Sequence, residues 1–413
     1  MKTKTIIVAT FIIGLLIISS GYGVYSLYFT GSNSPSPTTE PISIPTTQPT
    51  VPPTINASPT GSASTTVTTS PTKKPSTSNT TPTPTPAPNS VTVTDANDIT
   101  MTISLPVTTI AALDSGVAEI LCAMGCQSLI VARTASCTMP SSLSTVISVG
   151  ANDYEPNVEK LIELDPDVIF ASSMLPYNPT AYQQLRDSGI AVYIVDTTSP
   201  EPTNPSTMTR DELYALDTPI DFTCTLMQSL VPILGHQSEA TKYIEWAQYY
   251  NILVKDRIYT LTRGQQVKVF LEWYNYPYQT FSTASVYQAG GINIAENETD
   301  YSGTLTPEFV VEQDPSAIIE LIYSENHDIN DFIAAKNDIM ARVATKDTTA
   351  VKNGRVYICD FSARSGIRSV VGYLYWAKWI QPSLFSDIDP ATVNQELNQK
   401  FFGTSAAGTF AYP

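Results

Sequence analysis

Five aromatic residues, Trp273, Tyr274, Tyr276, Tyr278 and Phe281, crowd the stretch EWYNYPYQTFS. Rings gathered in a loop offer flat apolar area and hydroxyl donors to a bulky partner. Packing over a domain edge is the plainer use of any single ring, but the cluster as a whole favours binding. A second stretch, DFSARSGIR, sets Arg364 on a loop and Arg368 at a helix start. Guanidinium groups placed in this way suit an anionic ligand; pairing with nearby acids is their other use. Glu159 and Glu308 each fall in the first turn of a predicted helix, where a carboxylate meets the positive end of the dipole. That structural role suffices for either residue. Their symmetric placement is what raises a docking role beside it.

Covalent chemistry finds less support. His236 and His327 are the two histidines, and neither has an acid–base partner at recognisable spacing. The five cysteines, at 122, 126, 137, 224 and 359, form no tight metal pattern. Cys122 and Cys126 flank a helix end and could ligate or crosslink, but buried thiols are commoner. An odd number outside the cell leaves at least one thiol unpaired. The chain carries no G-x-S-x-G, no H-E-x-x-H and no phosphate-cradling loop. No catalytic residue, metal ligand or cofactor is expected.

The elements that must hold these side chains follow from charge and periodicity. The chain has 413 residues and a net charge of −16, and residues 91–413 hold 18 basic against 37 acidic residues. Phosphate neutralisation needs clustered Lys and Arg, so a nucleic-acid partner is excluded. Residues 5–30 carry no charge and follow Lys2 and Lys4. As a helix this stretch spans the ~30 Å of a hydrocarbon core, and Tyr22, Tyr25 and Tyr28 suit an interfacial belt. A single-pass membrane anchor is predicted over 1–30, with the rest of the chain extracellular; a cleaved signal peptide is the rival reading. Residues 31–90 hold 14 of the 31 prolines and no aromatic residue. Such a Ser/Thr/Pro stretch cannot bury enough surface to order itself and predicts a disordered stalk.

From about Asp98 short apolar runs alternate with helical ones. Strands are predicted at 99–105, 129–132, 168–171 and 191–195, with helices at 116–124, 157–164 and 180–188. The scheme resumes with strands at 267–272, 317–322 and 356–359 and helices at 330–340 and 367–379. This alternation marks βα units around a mostly parallel sheet. Between the halves, residues 238–262 carry apolar positions at helical spacing, a stiff rod of ~37 Å. The predicted fold is α/β: an N-terminal lobe at 91–210, a connecting helical segment at 211–263 and a C-terminal lobe at 264–413. Ligands of parallel sheets lie beyond the C-terminal strand ends. The loops to watch are therefore 106–109, 133–137, 151–154, 172–177, 273–285, 323–328 and 360–368.

One internal match favours two related lobes over one large sheet. NVEKLIELDPDVIF at 157–170 aligns with TPEFVVEQDPSAII at 306–319, which superposes Glu159 on Glu308 and Asp165-Pro166 on Asp314-Pro315. In each copy a helix stops at Asp-Pro and a strand follows, because proline disfavours helical geometry in the residue before it.

Together with VTDANDITMTISLP, the helix after SEATKYIEWA, QAGGINI, VKNGRVYICD and the closing LYWAKWIQPSLFSDIDPATVNQELNQKFFG, these stretches give the chain a family likeness. From about Val93 to Gly403 it resembles the cobalamin- and ferric-siderophore-binding proteins of ABC importers, class III of the periplasmic binding proteins. That resemblance implies a ligand held between two lobes joined by a rigid helix, with Tyr154, Trp273, Tyr274, Arg364 and Arg368 at the ligand-binding positions. It also implies that Glu159 and Glu308 dock on the permease. Ile367 stands where the family usually has proline, and 201–218 is longer than the family pattern. The expected function is that of a membrane-tethered extracellular receptor, not an enzyme, that captures a metal chelate (a ferric siderophore, a corrinoid or haem). It would deliver this ligand to an ABC permease and its ATPase. An extracellular enzyme or adhesion module on the same scaffold is the alternative.

Overall fold

The computed structural model describes residues 89–196, 207–273, 277–280, 284–296, 303–324 and 327–413. The expected anchor at 1–30, and all but the last two residues of the expected stalk, lie outside the described residues. Among the described residues no helix is long and apolar enough to cross a membrane.

The N-terminal lobe opens with an antiparallel hairpin, β1 (Ser90–Thr94) and β2 (Thr100–Ser104), in which Val93 faces Met101. The strand expected at 99–105 thus pairs outside the parallel sheet. That sheet starts at β3 (Ile110–Ala112), wholly buried, followed by α1 (Ser115–Ala123), β4 (Ile130–Arg133) and β5 (Ile147–Ser148). Then come α2 (Val158–Leu164), β6 (Val168–Ser172), α3 (Pro179–Asp187) and β7 (Ala191–Val195). The strand order is β5-β4-β3-β6-β7, parallel throughout. Because β3 was not foreseen, loop 106–109 belongs to the opposite edge from the one expected. Its Thr108 and Thr109 backbone N–H groups donate to Asp167, just ahead of β6.

Three helices follow: α4 (Arg210–Ala215), α5 (Pro219–Leu234) and α6 (Gln237–Tyr259). The last is the predicted rod, and its 23 residues span about 35 Å. The C-terminal lobe comprises β8 (Val267–Trp273), α7 (Ala284–Gln288), β9 (Gly291–Asn293), α8 (Pro307–Gln313) and β10 (Ala317–Ile322). It continues with α9 (Ile329–Ala341), α10 (Thr349–Lys352), β11 (Val356–Asp360), α11 (Ser369–Ile380), α12 (Pro390–Phe401) and β12 (Ala411–Tyr412). Here the order is β12-β11-β10-β8-β9, with only β12 antiparallel. Strand order reverses between β3 and β6 in one lobe and between β8 and β10 in the other.

The internal repeat is present in three dimensions. Helices α2 and α8 have the same length, and each is capped by a side chain, Asn157 or Thr306, that accepts a backbone N–H. Each ends at an aspartate with φ 45° ahead of its proline. The Asp-Pro pair therefore stops both helices through a left-handed residue.

One hydrophobic cluster runs through both lobes and the spine, joining Ile110 and Phe170 to Tyr243 and Trp246 and on to Ile319 and Trp376. Its polar centre is the short turn Gly366–Arg368. Thr223 Oγ1 of α5 donates to the Gly366 carbonyl at 3.0 Å, and the Tyr243 hydroxyl of α6 donates to that of Ile367 at 2.9 Å. Arg368, 2% exposed, places Nε 2.8 Å from Glu119 Oε2 on α1. Burial holds the Glu119 carboxyl above its ordinary range, against the pull of the Arg368 guanidinium. A buried charge that loses its partner is costly. Glu119→Ala should lower the unfolding free energy by about 3 kcal/mol. Glu119→Leu combined with Arg368→Met should recover most of that loss in the same urea titration.

Candidate functional site

At the C-terminal edge of the second sheet, β8 ends on Trp273 and β11 ends on Asp360. The buried Asp360 carboxylate accepts from the Ser362 backbone N–H at 2.9 Å and from that of Ser324 at 3.1 Å, tying the loops after β11 and β10 together. The turn Phe361–Arg364 then lies flat on α11. Gly372 makes that approach possible, since a Cβ there would collide with the Ala363 carbonyl oxygen. The outcome is a cluster of three half-buried side chains. The rings of Trp273 and Phe361 meet edge to face at 5.4 Å, and the Arg364 guanidinium lies 5.1 Å from the Phe361 ring centre. Arg364 also lines a narrow recess of about 10 Å³ with Pro219, Ser285, Tyr373 and Trp376, room for about one water.

The C-terminal edge of the first sheet is acidic. Asp114, which caps α1 through the Val117 N–H, comes from the end of β3. Asp153 comes from the loop after β5 and accepts from Ser172 at the end of β6. Burial and the neighbouring Asp153 carboxylate push Asp114 up to about 7. Burial likewise raises Asp153, against its hydrogen bonds from Ser172. Tyr154 is held half-buried on the same loop by Asn178, whose Nδ2 donates to the Tyr154 carbonyl at 2.8 Å. The loop is pinched shut: a Cβ on Gly150, at φ 132°, would lie 2.5 Å from the Glu155 carbonyl oxygen and 2.9 Å from Pro156 Cα.

Trp273 and Arg364 are thus brought together, through a ring, Phe361, that was not singled out from the sequence. Tyr154 lies in the other lobe, and Tyr274 lies outside the described residues, as do Tyr276 and Phe281. Tyr278 turns away, its ring beneath Arg342 on the outer face of the C-terminal lobe. Arg368 stands apart from Arg364: it is buried against Glu119, with its guanidinium 4.1 Å from the Phe410 ring centre. Glu159 and Glu308 are both exposed, each in the first turn of its helix. Asp114 and Asp153 carried a weak local signal, an aspartate ahead of a predicted helix and one in a watched loop. Phe361 likewise lay in a watched loop, within the quoted stretch DFSARSGIR, but was not singled out.

All five cysteines are free and buried, and burial pushes every thiol up to about 12, which leaves them unreactive. Among the described residues no group of three or more His, Cys, Asp and Glu side chains is placed to hold a metal ion. His327 does meet an acid: its Nδ1 lies 3.6 Å from Asp360 Oδ2, and its ring lies against Phe410.

Residues 110–363 match the family described as "Periplasmic binding protein". The chain belongs to that family. This periplasmic binding protein is the substrate-binding component of an ABC importer; it takes a small molecule to a permease and is not an enzyme. It is 26% identical over 306 residues, 72% of this chain and 87% of the other, to the uncharacterized ABC transporter substrate-binding lipoprotein YvrC of Bacillus subtilis. Its fold is similar to that of the TroA-like periplasmic binding protein FepB of Veillonella parvula, at TM-score 0.61 and 20% identity, covering 78% of this chain and 99% of that one. The Haemophilus influenzae protein MolA, bound to molybdate, also superposes at TM-score 0.61, with 18% identity over 77% of this chain and 99% of that one.

Behind Trp273, Glu320 of β10 sits beside Glu272 of β8, and Arg342 pairs with Glu272. Burial, then the Glu272 charge, pushes Glu320 up to about 8. A carboxyl raised in the folded state binds its proton more tightly there than in the unfolded chain. Its contribution is complete at acid pH and is lost as pH rises through the folded value. Stability should fall between pH 5 and 9, and Glu320→Gln should flatten the upper part of that fall in melting curves. Gly372→Ala should displace the Arg364 turn, read as a shift in Trp273 fluorescence, at a cost of about 1–3 kcal/mol for overpacking.

Proposed function

We propose that this binding protein captures a metal chelate, either a ferric siderophore or a corrinoid, with haem a third candidate, outside the cell. The observation that carries this reading is the Trp273–Phe361–Arg364 group at the C-terminal edge of β8 and β11, beside a point where strand order reverses. Aromatic faces supply contact for the bulk of such a ligand, and a guanidinium meets its negative groups. Tyr154 and Tyr274 complete the reading on the two lobes. Arg364 matters because a domain with 37 acidic and 18 basic residues repels anions at long range. At the C-terminal edge of the first sheet, burial and the Asp153 carboxylate favour the protonated form of Asp114, a hydrogen-bond donor in this reading for a ligand oxygen.

Arg368, matched by Glu119, serves in this reading to set the angle between the lobes at which the ligand is met. Glu159 and Glu308, one exposed carboxylate per lobe, meet basic groups of the permease. The uncharged stretch 5–30 tethers the receptor to the membrane and the Ser/Thr/Pro stretch holds it clear of the surface. Kinship with a protein described as a lipoprotein supports a tethered receptor. In this reading the apolar stretch 5–30 takes the place of a lipid anchor.

Isothermal titration of residues 89–413 with ferric siderophores, haem and cobalamin should reveal at least one tight binder, weakened about tenfold or more by Trp273→Ala. Absence of binding across all three classes would end the chelate reading. Glu159→Ala with Glu308→Ala should leave ligand affinity unchanged and stop transport. Loss of ligand affinity in that double variant would refute the docking role.

A further inference from the structure

The helices that carry Glu159 and Glu308 share more than their caps. Each has seven residues, and their exposure matches position by position. Leu161 and Val310 are buried, whereas Ile162 and Val311 stand 41% and 47% exposed. Each exposed aliphatic lies three positions after its lobe's glutamate, and Glu163 and Glu312 lie four positions after, so all of them share one helix face. Folding does not ask for this, because Leu161 and Val310 already supply the contact with the lobe core. A single exposed aliphatic residue is ordinary on any surface. The same exception at equivalent places in two lobes of different strand order marks a surface with one purpose.

We propose that Ile162 and Val311 are matched apolar anchors for the membrane permease, each seated beside the glutamates of its own lobe. The proposal rests on the reading of Glu159 and Glu308 as docking residues and adds the groups that supply affinity. Burial of the aliphatic side chains supplies the affinity, while the carboxylates set register and encounter rate. Two patches of like chemistry require a partner that offers the complement twice: a basic group beside an apolar hollow. A second copy of this chain does not meet that requirement, since it would set glutamates against glutamates in a protein of net charge −16. The patches also differ in one respect. Lys160 pairs with Glu163 at 2.9 Å in the N-terminal lobe, where the C-terminal lobe has Phe309. The N-terminal patch therefore carries less net negative charge, which distinguishes the two seats.

The test uses the full-length chain in membranes of its native host, with photoreactive benzoylphenylalanine in place of Ile162, Val311 or, as control, Val343, which is 81% exposed on another segment. Ile162 and Val311 should both form adducts with a permease subunit of the same importer, identified by mass spectrometry, and Val343 should form none. Ile162→Asp and Val311→Asp should each weaken association with permease-bearing vesicles about tenfold without lowering the melting temperature. Adducts with a second copy of this chain, adducts with unrelated proteins, or a yield no greater than at Val343 would overturn the proposal. Ligand titration on the same variants separates the two readings. Tight chelate binding without permease adducts overturns the anchors alone, and adducts without chelate binding support the anchors while ending the chelate reading.

Discussion

Two charges taken out of water hold the two halves of this protein in register. Glu119 and Arg368 lie 249 positions apart in the chain, on opposite lobes, and both are nearly inaccessible to solvent. Such a pair is poor at adding net stability, since desolvation offsets most of the attraction. It is good at specificity: any relative placement of the lobes that separates the charges leaves a buried ion without a partner. The hydrogen bonds of Thr223 and Tyr243 to the same turn add two more directions of constraint from the spine. Because the Arg364 turn precedes Gly366–Arg368, the Arg364 guanidinium inherits this placement.

The C-terminal edges of the two sheets are electrically unlike. One carries an arginine over the Phe361 ring, which meets Trp273 edge to face, and the other carries Asp114 and Asp153, both raised chiefly by burial. The thiols and the Glu119–Arg368 pair lie within the packed interior.

Long, strongly periodic elements were legible in the sequence. β7, β10 and the core of α6 stand where alternation and helical spacing placed them, and the repeated Glu-bearing helix with its Asp-Pro stop was visible from the alignment of 157–170 with 306–319. Strands of two or three residues, β3, β5 and β9, leave no period to detect, although β3 is the centre of its sheet. Missing β3 moved loop 106–109 to the wrong edge and hid Asp114. The partner of Arg368 was illegible for a different reason. Contacts between lobes depend on how two finished sheets meet, and no local spacing encodes that. Phe361 was overlooked because a lone phenylalanine between noted residues looks like filler until its ring is seen between Trp273 and Arg364.

The pinched loop of the N-terminal lobe has a mechanical corollary. The chain crosses itself at Gly150 and Pro156, and the next residue, Asn157, caps α2. Tyr154 and Glu159 are thus mounted on one short rigid bracket, five positions apart. A displacement of the first turn of α2 would therefore be carried through one bridged loop to Tyr154.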